Sequence, residues 1–133
     1  MTFTESIFTR LSTYAGLAAL TGTRVYPMRL PQNVTLPAVV YRIISKTPQQ
    51  QLQGGSGLYV ARVQVTAFGS SYDSAWDTAD QVLLALHDFT GLLGGAGGVQ
   101  CDVTIINQVD LMDPQPEATV YYIASDFEVW LQG

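Results

Sequence analysis

The chain has 133 residues, of which 47% are hydrophobic and 13% charged, with a net charge of −5 at pH 7. That length suits one domain, read as a single unit over residues 1–133, which buries about two-thirds of its unfolded surface. A typical soluble domain is about a quarter charged, so the shortfall predicts an exterior partly covered by a partner, and the acidic balance excludes the clustered Lys and Arg of a nucleic-acid binder.

The first element predicted is a helix from Thr4 to about Leu20. Ile7, Leu11, Tyr14 and Leu17 recur at helical spacing, Thr2 with Glu5 forms a capping-box pattern, and Gly22 stands in the usual stop position. Glu5 and Arg10 interrupt its apolar stretch, which argues against a signal peptide, and no apolar run approaches a membrane span of ~20 residues. A short extended piece from Arg24 to Met28 then meets Pro27, Pro31 and Pro37, which forbid helix.

Ala38 to Ser45 is β-branched and aromatic, and predicts a strand. Thr47 to Gly57, with Gln49, Gln50, Gln51 and Gln53 among its glycines, reads as a loop. From Leu58 to Phe68 a second strand is expected, with Tyr59, Ala61, Val63, Val65 and Ala67 facing one way and Arg62, Gln64 and Thr66 the other. Ser70, Ser71 and Asp73 cap a helix running to about Phe89, with Trp76, Ala79, Val82, Leu83 and Leu86 as its apolar stripe and His87 in its last turn. A Gly-rich link, Gly91 to Gly98, leads to a strand from Val99 to Met112; Asp113-Pro114-Gln115-Pro116 breaks the chain, and Thr119 to Leu131 closes it. The expected fold is α+β, a mostly antiparallel sheet of four to five strands with two helices on one face, in the order α-β-β-β-α-β-β.

The residues offer little chemistry. Cys101 is the only cysteine, so neither an intrachain disulfide nor a cysteine-based zinc site is open to the chain, and folding in a cytosol-like compartment is expected. His87 is the only histidine, and its neighbour Asp88 does not share its helix face. The glycine run follows a helix and lacks the Lys-Ser/Thr pair of a phosphate loop. Asp102, Asp110 and Asp113 do not have the spacing of a calcium loop. No catalytic residue, metal or cofactor is assigned.

Charge and aromatics are more informative. All six basic residues lie at or before Arg62 with only Glu5 against them, a net +5, whereas the ten later acids have no base among them, a net −10. On the closing strand Tyr122 and Trp130 share a face with Asp126 and Glu128, a mixture that suits a protein interface.

The stretches Gly22–Ser45, Leu58–Gly91 and Asp126–Gly133 resemble the tail-completion, or tail-terminator, proteins of long-tailed bacteriophages and their prophages. The resemblance rests on Arg24-Val25-Tyr26-Pro27 followed by Leu36-Pro37-Ala38-Val39-Val40-Tyr41, on Arg62-Val63-Gln64-Val65 running into a capped helix, and on Asp126-Phe127-Glu128-Val129-Trp130. It implies a structural subunit, not an enzyme, forming a ring of six at the head-proximal end of the tail tube in the virion neck, assembled in the host bacterial cytoplasm. Its partners would be itself, the major tail tube protein and a head-side connector or stopper; DNA would pass through the lumen without specific binding, and no membrane is involved. The alternatives are another neck component, such as a head-closure or stopper protein, and a small ligand-binding or hydrolytic α+β domain. A ring needs two complementary surfaces on each subunit. The expected pair is Arg24, Arg29, Arg42 and Arg62 against Asp102, Asp110, Asp126 and Glu128, with Tyr122 and Trp130 supplying apolar contact. Gln49, Gln50, Gln51 and Gln53 are expected to meet the tail tube.

Overall fold

The computed structural model describes residues 2–51, 54–114 and 119–132. Helix α1 (Phe3–Thr13) starts as the sequence predicts: the Glu5 N–H donates to Thr2 Oγ1 at 3.2 Å, and the Thr2 N–H donates to Glu5 Oε1 at 3.4 Å. The predicted single helix nevertheless breaks at Tyr14, which is extended (φ −70°, ψ 116°). Ser12 and Thr13 hydroxyls both donate to the Thr9 carbonyl, competing with the helical ladder just before the break. A second helix, α2 (Ala15–Thr21), then follows and ends at Gly22 with φ 57°. Gly16 lies where a Cβ would run into the Gln81 side chain, so the absence of a side chain brings α2 close to the next helix.

Strand β1 (Val25–Pro27) pairs in parallel with β2 (Ala38–Gln51), which is antiparallel to β3 (Gly54–Gly69). Arg24 fixes the crossing between helix and sheet, its Nε donating to the Pro37 carbonyl at 3.0 Å and its Nη2 to the Leu20 carbonyl at 3.2 Å. Ser71 caps α3 (Tyr72–Leu86) by accepting the Ser74 N–H at 3.1 Å. Gly69 makes this strand-to-helix turn possible: a Cβ there would lie 2.9 Å from the Ala75 Cα. Three further strands follow, β4 (Thr90–Leu93), β5 (Val99–Pro114) and β6 (Thr119–Gln132), giving the sheet order β1-β2-β3-β6-β5-β4.

The expected fold class needs correction. Among the described residues the sheet is mixed and has six strands rather than four to five, and three helices rather than two accompany it. The extra helix comes from the break at Tyr14, and the extra strand from Thr90–Leu93, where Gly91 contributes no strand-favouring side chain and opens the glycine run. The region Thr47–Gly57 is also corrected: Thr47–Gln51 continues β2 and Gly54–Gly57 continues β3, with Gln50 opposite Gly55 and Gln51 opposite Gly54. Gln53 lies outside the described residues.

One face of the sheet carries the core. Phe3, Ile7 and Leu11 of α1, Leu17 of α2, and Val82, Ala85 and Leu86 of α3 pack on Val39, Tyr41, Val63, Val65, Val103, Phe127 and Val129. Phe127 is the largest fully buried side chain, at the centre of that face. Burial pushes the Tyr41 phenol above its usual range. Arg10 fastens α1 to α3: its Nε donates to the Ala85 carbonyl at 2.7 Å, and its guanidinium lies 4.8 Å from the centre of the Phe89 ring and 5.2 Å from that of Tyr14. The sequence assigned the cationic partner of that helix end to His87, but α3 stops at Leu86. Asp88 then turns to φ 57°, and His87 Nε2 sits 3.2 Å from Asp88 Oδ2 in an exposed pair.

Candidate assembly surface

The face opposite the core carries no helix of the cluster described above, and its centre is polar. Arg62 Nη2 donates to Asp126 Oδ2 at 2.7 Å, and Gln64 Nε2 donates to Asp126 Oδ1 at 3.1 Å. Strand pairing dictates this triad, since Gln64 is directly opposite Asp126 and Arg62 is directly opposite Glu128. Asp126 is only 8% exposed, so both carboxylate oxygens need these partners. Around it, the Trp130 indole donates to Glu128 Oε1 at 2.6 Å, and Phe68 and Tyr122 stack with ring centres 5.4 Å apart. Trp130 remains 40% exposed.

Of the three register shifts in the described sheet, two decide what else joins this face. In β2 the register slips between Ile43 and Ser45; in β5 it slips between Ile105 and Asn107. Each slip moves every later side chain to the other side of the sheet. Lys46 therefore turns to the helix side, its Nζ 4.6 Å from the centre of the Tyr59 ring, while Arg42 stays on the open face. Asp102 lies opposite Trp130 on the open face, but Asp110 lies opposite Ile123 on the helix side and accepts the Tyr72 hydroxyl at 2.8 Å. That hydrogen bond, with the nearby Asp110 charge, raises the Tyr72 pKa. Tyr72, Asp110, Leu111, Met112 and Tyr121 line an open depression of about 230 Å³ there.

The residues expected to form two opposed patches are thus distributed differently. Arg62 and Asp126, assigned to opposite patches, are bonded to each other; Arg24 is tied to main-chain carbonyls, and Arg29 is exposed in the segment after β1. Arg42, Arg62, Asp102, Tyr122, Asp126, Glu128 and Trp130 share the open face, and Asp110 does not. What the sequence reading missed is an exposed apolar run on β5: Ile106, Val109, Leu111 and Met112 are 43%, 46%, 45% and 57% exposed. Its signal was present as an apolar stretch from Val103 to Met112 that lacks the clean alternation of a half-buried strand.

Among the described residues no group of three or more His, Cys, Asp or Glu side chains comes together as a metal site. Cys101 is buried, and burial, with Asp102 nearby, pushes its thiol up to about 11. No described helix is long and apolar enough to cross a membrane.

Residues 5–132 match the family model of the tail completion protein gp17. The chain belongs to that family. It is a structural phage tail protein and not an enzyme. The fold is also found in a chain of the solved virion of a native gene transfer agent particle, with a TM-score of 0.70 and 19% identity, over 96% of this chain and 92% of that one. No curated protein matches the sequence. The family membership agrees with the resemblance carried by the segments Gly22–Ser45, Leu58–Gly91 and Asp126–Gly133.

Proposed function

We propose that the chain is the repeating subunit of a homo-oligomeric ring, six copies in all, that caps the head-proximal end of a phage tail tube. The ring stops tube polymerisation and offers a docking surface to the head-side connector or stopper protein. The observation that carries this reading is the match of residues 5–132 to the tail completion family. Its fold likeness to a chain of a gene transfer agent virion supports a place in a phage-like particle; the position in the neck and assembly in the host cytoplasm belong to the proposal. The net charge of −5 suits a conduit for DNA, because a negative wall repels phosphate rather than retaining it. The far end of β2, Gln49–Gln51, with Gln53 beyond it, is the proposed contact with the major tail tube protein.

The test is to produce tails with and without the protein and to measure their lengths and head attachment by electron microscopy. The capping role predicts tubes of irregular length, unjoined to heads, when it is missing, and uniform, joined tails when purified protein is restored. Tails of normal length that merely fail to join heads would assign the chain to a head-closure role instead.

A further inference from the structure

Strands β2 and β5 are each only partly covered on their outer side by the short strands β1 and β4 among the described residues. Strand β4 pairs with β5 only from Val99 to Asp102, and the Val103 N–H is taken by the Phe89 carbonyl at 2.9 Å. Beyond that point, Thr104 to Met112 has no strand on its outer side among the described residues. Strand β1 likewise covers β2 only from Val39 to Tyr41, with Met28 N–H donating to the Tyr41 carbonyl at 3.0 Å. From Arg42 to Pro48 the outer side of β2 is also without a strand among the described residues.

Soluble proteins protect such edges with Lys, Pro, a covering loop or a short strand. The β5 edge has little of this protection. Thr104–Met112 contains no Lys, Arg or Pro and a single charged residue, Asp110, while Ile106, Val109, Leu111 and Met112 are each more than two-fifths exposed. An edge of this kind is a template for another strand.

We propose that, within the ring inferred above, subunits join edge to edge, the outer side of β5 in one copy pairing with the outer side of β2 in the next. Direction allows it. Through β3 and β6 every pairing is antiparallel, so β2 and β5 of one subunit run in opposite senses. A neighbour generated by rotation about a ring axis keeps its strand sense, and its β2 meets β5 in antiparallel fashion. Charge selects this pairing over its rivals. The free part of β2 carries Arg42 and Lys46, and the free part of β5 carries Asp110 as its one charge. A twofold β5–β5 contact would set acid against acid, and a twofold β2–β2 contact base against base; the mixed contact alone offsets them.

The two free edges lie at opposite ends of the sheet. The free part of β2 runs toward its turn into β3, and the free part of β5 runs toward its turn into β6. Neighbouring subunits must therefore be displaced along the strand direction, which tilts the strands to the ring axis as in any closed barrel.

The experiment uses the full-length protein with a cysteine placed on each edge in turn, Ser45→Cys and Asn107→Cys, both exposed and both on the open face. Native Cys101, buried and with its thiol pushed up to about 11, makes the unaltered chain the unreactive control. A short bis-maleimide is added at concentrations where sedimentation shows assembly, and amide exchange is followed in parallel. Expected are cross-linked pairs when the two variants are mixed, none from either variant alone, and exchange slowed about tenfold or more at both Thr104–Met112 and Arg42–Pro48 on assembly. Cross-linking of one variant to itself would overturn the mixed contact, as would an assembly that leaves both segments exchanging freely; the ring itself would stand. Absence of any assembly, alone or on tail tubes, would overturn the ring and this contact together.

Discussion

Strands β3 and β6 form the centre of the sheet, and β2 and β5 flank them; the two pairs obey different rules. Where β3 and β6 pair, from Leu58 to Gly69 and from Tyr121 to Gln132, alternation is unbroken, so Ala61, Val63, Val65, Ala67, Ile123, Phe127, Val129 and Leu131 all face the core. In β2 and β5 the alternation reverses at one extra residue beside the row Ile43–Val63–Phe127–Ile105. The centre is thus specified by its core, since a slip there would expose Phe127. The flanks keep core register only as far as that row and are then free to present other residues outward. Stability should reside in the first pair and assembly in the second.

The sharpest way to break this contrast is Phe127→Ala. Removing the largest fully buried side chain should cost about 3–5 kcal/mol, read from denaturant midpoints. A loss under about 1 kcal/mol would mean that the centre does not dominate folding. Alkaline pH gives the second largest effect. The Cys101 thiol is raised from its ordinary 9.0 to about 11, so it favours the folded state fully below pH 9.0 and loses that contribution as pH climbs through about 11. The loss amounts to about 2–3 kcal/mol, and Cys101→Ala should flatten that part of the stability curve. Tyr41, also raised by burial, would leave a residual slope. Asp126→Ala comes third, at about 1–2 kcal/mol, because the Arg62 and Gln64 groups it abandons can still reach water. Val109→Lys should come last for the isolated subunit, within about 0.5 kcal/mol, while abolishing ring formation seen by native mass spectrometry. If that lysine unfolded the subunit, the division between centre and flank would be wrong.

Much of the centre was legible in the sequence, because capping residues and strict alternation are local signals. Thr2 and Glu5, Ser71, and the inward set of β3 all occupy their predicted places. The flanks were not legible, for a physical reason: a bulge is fixed by the strand across the sheet and leaves no mark in its own sequence. The charge split along the chain put Asp102 and Asp110 in one patch, and the slip at Ile106 places them on opposite faces. Likewise nothing local in Thr47–Gly57 shows that two polar segments will pair with each other beyond the end of β6. The Arg62–Asp126 bond was hidden in the same way, since charge read along the chain says nothing about which strands lie side by side.

The bond from Arg10 to the Ala85 carbonyl joins groups 75 residues apart in the chain. The end of α3 has no basic residue of its own in its last turn, and the first helix supplies one. During synthesis this sets an order of events. Helix α1 leaves the ribosome long before the carbonyl it fastens exists, and its apolar face, Phe3, Ile7 and Leu11, has no sheet to cover it until the later strands emerge. Helix α1, made before the strands it packs on, can dock only after they emerge, and until then its apolar face has no cover within the subunit.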